Sequence, residues 1–325
     1  MMFLQFRSRR CAMLGIDMNP TSVNVVEISR QTTDQFRVEN YGQRSLPLGL
    51  IEAGAIKNTD ILASCIENLL TQINSSCHRV ALALPDSIVI SKTVQFIKGL
   101  SNGELEELVR YEAEKYLACS LDEIAIDFTV LGSSSKKAGM LDVLFVASRR
   151  ENISKRIESL RYNNLNVEIV DIKSYAIARI ISRLINRDKD KSNIIAAINI
   201  SGCSINVLVF SNGKLVYTKE ELFECRLAPR EGLAFPQEHS HIMSQIKRMI
   251  QYFLSTNNYD LIECFFLSGE LEFIVNISCL IQEEMKTKTV IVDPFQYMDI
   301  APHINLKLLK KIAPSFLISC GLALR

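Results

Sequence analysis

The chain of 325 residues lacks tryptophan, contains only 13 glycines and 8 prolines, and has no excess of either charge, because 37 lysines and arginines balance 36 aspartates and glutamates. Without net charge there is no global field to hold nucleic acid or anionic lipid. With 48% hydrophobic and 22% charged residues, the composition excludes a disordered chain and a bundle of membrane helices. The sequence therefore predicts a globular protein of two domains, or of one large domain with subdomains, and no nucleic-acid partner.

Common site motifs are also missing. No two of the nine cysteines have the C-x2-C spacing of a zinc or redox site, and the four histidines are scattered. The chain contains no P-loop, G-x-G-x-x-G or G-x-S-x-G motif. We expect the cysteines to be buried thiols of a reducing compartment rather than metal ligands.

Neither a signal peptide nor a membrane span is expected. The N-terminal residues reach Arg7, Arg9 and Arg10 before an apolar region of sufficient length can form. The longest uncharged stretch, 192–213, alternates polar and apolar residues with the period of a strand. The sequence predicts a cytoplasmic protein.

An internal repeat is the most informative feature. A shift of 182 residues places residues 17–26 over residues 199–208, and Ser22, Asn24 and Val25 recur identically. In each half, an apolar strand, a polar turn and two further strands follow one another. The repeat predicts two related α/β lobes with a cleft between them.

Hydrophobic periodicity divides the chain further. Residues 80–147 are typical of a β-β-α-β-β unit, whose helix starts at Ser101 with Glu104 three residues on, the pattern of a capping box. We therefore expect a first lobe at 1–79, an inserted α+β subdomain at 80–148, a return to the first lobe with a linker at 149–190, and a second lobe at 191–325. A final helix is expected from Pro314.

Two facing hairpins of this kind suit phosphate. Turn amides and hydroxyls can cradle phosphate oxygens while Asp17 holds a hydrated Mg²⁺. A strand that runs into a glycine turn at Ser268–Glu270, followed by a helix, adds a place where a nucleotide could meet backbone amides. The alternative interpretation, that these are ordinary turns, stays open on the residues alone.

Short motifs in a fixed order carry a family resemblance. They are LGID at 14–17, VALALP at 80–85, ISKTVQ at 90–95, EAEKY at 112–116, DF at 127–128, VLFVASR at 143–149, VD at 170–171 with SYA at 174–176, AP at 313–314 and GLALR at 321–325. Together they resemble the type IV pilus assembly protein PilM family, which belongs to the actin-like ATPase group and is similar to the cell-division protein FtsA. The resemblance implies two actin-like lobes with an inserted subdomain. It also implies a cytoplasmic protein, peripheral to the inner membrane, that captures the N-terminal tail of the pilus protein PilN in a groove beside the insertion and meets other platform proteins.

The chain departs from this family where ATP and Mg²⁺ should bind. The family's first hairpin has a glycine and a later lysine where this chain has Asn19 and Asn24, and the second hairpin has an aspartate where this chain has Asn199. Pro20 has no N–H to donate. The candidate nucleotide-binding residues are Asp17, Asn19, Thr21, Ser22, Asn24, Asn199, Ser201, Gly202, Cys203, Ser204, Ser268, Gly269 and Glu270. We expect an eroded nucleotide site, with Asp17 meeting a metal only if nucleotide binds, and no catalytic residue.

Three functions remain open at this point. The leading hypothesis is an adaptor that docks an apolar extended peptide, with Tyr116 and Leu117 at the end of the acidic helix as candidate groove residues. The second is an enzyme or switch, either an actin-like ATPase of the FtsA kind or a small-molecule kinase. The third is actin-like self-assembly into filaments. Mg-ATP titration separates the first from the second, and sedimentation tests the third.

Overall fold

The computed structural model describes residues 12–116, 120–134, 137–161, 164–188, 193–223 and 236–325. The strands are β1 (Ala12–Met18), β2 (Ser22–Arg30), β3 (Phe36–Ser45), β4 (Ile51–Glu52), β5 (Ala55–Ile56), β6 (Arg79–Leu84), β7 (Ile90–Ile97), β8 (Ile124–Ser133), β9 (Met140–Arg149), β10 (Asn166–Ile172), β11 (Ile194–Ser201), β12 (Ser204–Ser211), β13 (Lys214–Leu222), β14 (Cys264–Gly269), β15 (Lys288–Ile291) and β16 (Asp299–Ile300). The helices are α1 (Thr59–Gln72), α2 (Asn102–Glu114), α3 (Arg150–Arg161), α4 (Lys173–Asp188), α5 (Pro236–Asn257), α6 (Leu271–Met285), α7 (Leu306–Ile312) and α8 (Leu317–Ala323). Single 3-10 turns lie at Asp86–Ile88, Leu121–Glu123 and Ala313–Phe316.

Two sheets repeat one strand order. The first runs β10-β6-β1-β2-β3-β16 and the second runs β13-β12-β11-β14-β15. In each, an antiparallel meander of three strands continues into two parallel strands, β6 and β10 in the first and β14 and β15 in the second. Asp17 faces Asn24 across the first hairpin, and Asn199 faces Asn206 across the second, at the spacing that the repeat predicts. The duplication confirms the two-lobed, actin-like α/β fold.

Two helices fill the space between the sheets. Helices α4 and α8 contribute to one apolar core with side chains from both sheets, including Phe210 and Phe266 of the second. Helices α5 and α6 cover the other face of the second sheet, while α1 and α3 cover that of the first. Because the central core is shared, the two lobes pack on one another along their inner faces.

The inserted unit is smaller than expected. Its sheet has the order β7-β9-β8, and α2 packs on it through Leu105, Val109 and Ala113. The predicted capping box is present, because Ser101 accepts from the Glu104 N–H and Glu104 accepts from the Ser101 N–H. Residues 80–84 do not belong to it, since β6 lies buried between β1 and β10 in the first sheet. The unit is therefore β-α-β-β and follows Leu84.

The end of the chain also differs from the expected boundaries. Strand β16 pairs with β3, and α8 packs against β1, so these residues build on the first sheet rather than the second lobe. A Cβ added to Gly15 would lie 1.9 Å from the backbone oxygen of Ser319, a contact that only glycine permits. The last helix begins at Leu317, after the 3-10 turn that contains Pro314. The segment from Leu317 to Ala323 has no charged side chain, and all of its residues are buried.

The sequence did not predict four short elements: β4, β5, β16 and α7. None of the helices in the described ranges is long and apolar enough to cross a membrane.

Candidate functional site

The two hairpin turns predicted to bind phosphate meet face to face. Turn 1, residues 19–21, joins β1 to β2, and turn 2, residues 202–203, joins β11 to β12. Gly202 has a φ of +61°, and a Cβ added to it would lie 2.9 Å from Pro20 Cδ and 3.1 Å from Asn19 Cβ. The turns are therefore in van der Waals contact across the cleft between the lobes.

The backbone N–H groups of turn 1 already donate hydrogen bonds within the turn. The Asn19 Oδ1 atom accepts from the N–H groups of Thr21 at 3.0 Å and Ser22 at 2.8 Å, and from the Thr21 hydroxyl at 2.8 Å. The Asn19 N–H donates to the Ser22 carbonyl, and Pro20 has none. Since backbone donors are few and each is committed, turn 1 has no N–H to offer to a phosphate.

Asp17 forms a buried ion pair instead of facing an open cleft. Lys173, the first residue of α4, places Nζ 2.9 Å from Asp17 Oδ1, and both side chains are under 5% exposed. The other carboxylate oxygen, Oδ2, has no hydrogen-bond partner among the described residues. Lys173 lies between two of the motifs that carry the family resemblance, at 170–171 and 174–176, but no pattern in the sequence marked it as buried.

Asn199 and Asn24, two further residues expected to bind nucleotide, form hydrogen bonds within the protein. The Asn199 Nδ2 group donates to Ser201 Oγ at 3.0 Å, and the Ser268 hydroxyl donates to Asn199 Oδ1 at 3.0 Å. Asn24 donates to the backbone oxygen of Ser315 at 3.3 Å. All these side chains are buried, so the structure brings the predicted residues together but satisfies them mostly with one another.

The third predicted element reaches turn 2. Gly269 has a φ of +118°, and a Cβ there would lie 1.8 Å from the Ile200 oxygen. The next residue, Glu270, accepts from the Gly202 N–H at 3.2 Å and lies 3.4 Å from the Thr21 hydroxyl oxygen. The remaining predicted residues lie beside it, where Cys203 and Ser204 line a cavity and Ser204 donates to the Ser201 carbonyl.

That cavity has a volume of about 390 Å³ and adjoins the point where the inserted unit joins the first lobe. Its lining combines the apolar side chains Leu48, Ile51, Leu222 and Phe223 with the side chains Glu52, Arg156, Lys173 and Glu220. Segments from the first lobe, from the Pro85–Ser87 junction and from the second lobe thus surround one space.

Arg156 is fully buried at this cavity. Its two terminal nitrogens donate to the backbone oxygens of Asn152 at 2.9 Å and Gly54 at 2.7 Å, while Nε has no partner among the described residues. Burial lowers the pKa of Arg156 to about 10, and the charge of Asp17 opposes that shift. The guanidinium therefore remains charged at neutral pH. No sequence pattern marked Arg156, because its role depends on the β4–β5 hairpin, which was not predicted.

Two acidic side chains tie the inserted unit to the lobes. Asp86 accepts from the Ser174 N–H at 3.1 Å, and Glu220 accepts from the Ser87 N–H at 2.6 Å. Burial raises the pKa of Asp86 to about 6, with the Glu220 charge acting in the same direction and the hydrogen bonds from Ser174 and the charge of Lys173 acting against it. These contacts join the start of the insertion to α4 and β13.

Tyr116, the first of the two predicted peptide residues, lies away from this cavity. The Tyr116 ring packs 6.4 Å from that of Phe145, with Lys92 Nζ 5.2 Å from its centroid, inside the inserted unit. Leu117 lies outside the described residues. Tyr116 is 44% exposed and does not line the cavity.

The residues present do not fit ATP with Mg²⁺. Turn 1 has no N–H to donate, Asp17 is held by Lys173, Glu270 accepts the Gly202 N–H, and turns 1 and 2 touch where phosphates would pass between them. A phosphate chain would have to displace an internal carboxylate and separate the turns. We derive no step of any reaction through a nucleotide.

Comparisons with known proteins agree on the fold. A sequence model of the family described as type IV pilus assembly protein PilM matches residues 15–228 and 236–325. A solved structure described as a PilM-PilN type IV pilus biogenesis complex is 21% identical, with a TM-score of 0.82 over 97% of this chain and 98% of that chain. The ethanolamine utilization protein EutJ from Carboxydothermus hydrogenoformans is 12% identical, with a TM-score of 0.52 over 97% of this chain and 89% of that chain.

Proposed function

Since the chain belongs to the type IV pilus assembly protein PilM family, we propose that it is an adaptor that binds the N-terminal cytoplasmic tail of a PilN-like inner-membrane protein. The similar solved structure is described as a PilM-PilN complex, which supports this partner. We further propose that the protein is cytoplasmic and reaches the inner membrane through that partner, where it meets other proteins of the pilus platform.

The cavity beside the inserted unit is the observation that carries the proposal. An extended peptide needs apolar side-chain pockets together with a few fixed polar groups. Leu48, Ile51, Leu222 and Phe223 provide an apolar lining, and the Arg156 guanidinium, held by two backbone oxygens, provides a fixed positive charge in the wall. Tyr116, which does not line this cavity, is therefore not a residue that we propose for the groove.

Binding rather than nucleotide turnover is the proposed activity. The internal contacts at turns 1 and 2 support a scaffold that needs no ATP, and no observation in the described residues favours the ATPase alternative. Titration of the purified protein with Mg-ATP should give no heat. Micromolar binding would contradict this part of the proposal without affecting the partner.

The partner is tested by calorimetric titration with a synthetic peptide of the PilN-like cytoplasmic tail from the same genome. Leu222→Glu places a charge in the apolar lining and should weaken binding by about tenfold or more, since burying an unpaired carboxylate is costly. Val216→Glu is the matched control, because Val216 is comparably exposed on the same strand, at 43% against 47%, and does not line the cavity.

Three outcomes separate the possibilities. Binding that Leu222→Glu weakens and Val216→Glu does not would confirm the groove. Equal effects of the two variants would place the peptide elsewhere on the molecule. A wild-type protein that does not bind the tail at all would contradict the adaptor function itself.

A further inference from the structure

Glu270 points its carboxylate away from its own helix. It is the residue immediately before α6, at the N-cap position, and its side chain makes no capping hydrogen bond to that helix. Instead, Oε1 accepts from the Gly202 N–H at 3.2 Å and lies 3.4 Å from Thr21 Oγ1 on the opposite lobe. One carboxylate oxygen thus touches both turns.

The backbone holds the carboxylate at this place. The Glu270 N–H donates to the Ile200 carbonyl at 3.0 Å. At Gly269 the ends of β14 and β11 lie so close together that no residue with a Cβ fits. Glu270 is therefore anchored at the end of β11, one residue from turn 2. Its side chain needs only a short reach to meet the Gly202 N–H.

We infer that the Glu270 carboxylate is an internal anion that fills the anion position at the Gly202 N–H of turn 2, beside turn 1, so that the cleft between the lobes closes on a group of the chain itself. A charge-assisted hydrogen bond is stronger than a neutral one, and a backbone N–H left without an acceptor beside a closed turn is costly. The same arrangement leaves turn 2 so close to turn 1 that a Cβ added to Gly202 would lie 2.9 Å from Pro20 Cδ. The inference does not depend on the partner proposed above.

The competing interpretation is that Glu270 is an ordinary half-buried carboxylate whose position near Gly202 has no effect. Under that interpretation its removal changes neither turn. Under ours, removal leaves the Gly202 N–H without this acceptor and opens a place that an external carboxylate of the same size can occupy.

The test uses the full chain with Glu270→Ala, Glu270→Gln and the control Glu283→Ala, which removes an exposed carboxylate from the same helix. Hydrogen exchange is followed by mass spectrometry on fragments that cover residues 199–206. In Glu270→Ala, exchange of the Gly202 amide should become about ten- to a hundredfold faster, the factor that one charge-assisted hydrogen bond supports. Glu270→Gln keeps an acceptor oxygen and should show a smaller increase, and it carries the test if the alanine variant does not fold.

Chemical rescue supplies an independent readout. Formate or acetate should restore part of the lost protection and of the thermal midpoint in Glu270→Ala, whereas chloride at equal ionic strength should not. Unchanged exchange in both Glu270 variants would overturn the inference. So would a loss that chloride restores as well as formate does, because that would be a general effect of salt.

Discussion

The buried ion pair between Asp17 and Lys173 gives the sharpest test of how this cleft is built. The two charged atoms lie 2.9 Å apart, and the side chains are 2% and 4% exposed. Replacing Asp17 by asparagine leaves the Lys173 ammonium buried without this carboxylate, and the more distant charge of Asp86 offsets the loss in part. Breaking a buried pair at one partner costs about 3–5 kcal/mol. We expect Asp17→Asn to lower the free energy of unfolding by that amount.

A double-mutant cycle isolates the pair. Lys173→Met alone should also destabilise, since it leaves Asp17 buried without its ammonium partner. The double variant, which removes both charges, should cost less than the sum of the single variants by about 2 kcal/mol or more. The free energies come from urea unfolding followed by circular dichroism, because the chain has no tryptophan to report by fluorescence.

Lys155→Ala serves as the control, because it breaks a pair with Glu151 at the surface, where the side chains are 41% and 65% exposed. Little change is expected there. Additive single substitutions at Asp17 and Lys173 would refute the reasoning, and so would an Asp17→Asn variant as stable as the wild type. Stabilisation of the wild type by Mg-ATP that Asp17→Asn abolishes would show that Asp17 serves a metal rather than Lys173.

Two further predictions concern the surroundings of the cleft. Burial raises the pKa of Asp86 to about 6, so the stabilisation that comes from its neutral form is complete below about pH 4 and is lost as the pH rises through 6. The free energy of unfolding should therefore fall by on the order of 3 kcal/mol across that range. Asp86→Asn should remove this fall when unfolding is measured at each pH. Gly15→Ala would place a methyl group 1.9 Å from the Ser319 oxygen, so it should cost about 1–3 kcal/mol or more in urea unfolding, with faster hydrogen exchange in α8 as its signature; an unaffected α8 would show that the helix is not held at this contact.

Local patterns predicted the repeated part of the fold well. Alternating apolar residues and the offset of 182 residues correctly indicated two meanders of the same order, and the capping box at Ser101 correctly indicated the start of α2. These features depend on neighbours in the sequence. The expected boundary at residue 80 and the assignment of the C-terminal segment to the second lobe differ from the structure for the opposite reason, because β6 pairs with β1 and α8 packs against β1, far away in the chain.

The site shows the same division. Asp17, the two turns and Glu270 were found as candidates because each lies at or just after the end of a strand in one half of the repeat. Lys173 and Arg156 were missed, since their partners lie 156 and 102 residues away, at Asp17 and Gly54, and only the packing of α3 and α4 brings them together. A lone cation in a helix is usually solvated, so no spacing rule could have separated these two from the other basic residues.

The two halves of the cleft are closed by different chemistry at equivalent positions. In turn 1, the Asn19 amide oxygen takes the backbone donors, and in turn 2, the Glu270 carboxylate takes the donor of Gly202. In turn 1 the acceptor is a side chain of the turn itself, whereas in turn 2 the acceptor lies at the junction of β14 and α6. Because each half is satisfied separately, removing Glu270 would free the acceptor position at turn 2 but would not recreate an anion site that spans both turns. A phosphate-containing ligand would therefore meet an already closed cleft, whereas the neighbouring cavity offers a space lined by apolar side chains and the Arg156 guanidinium.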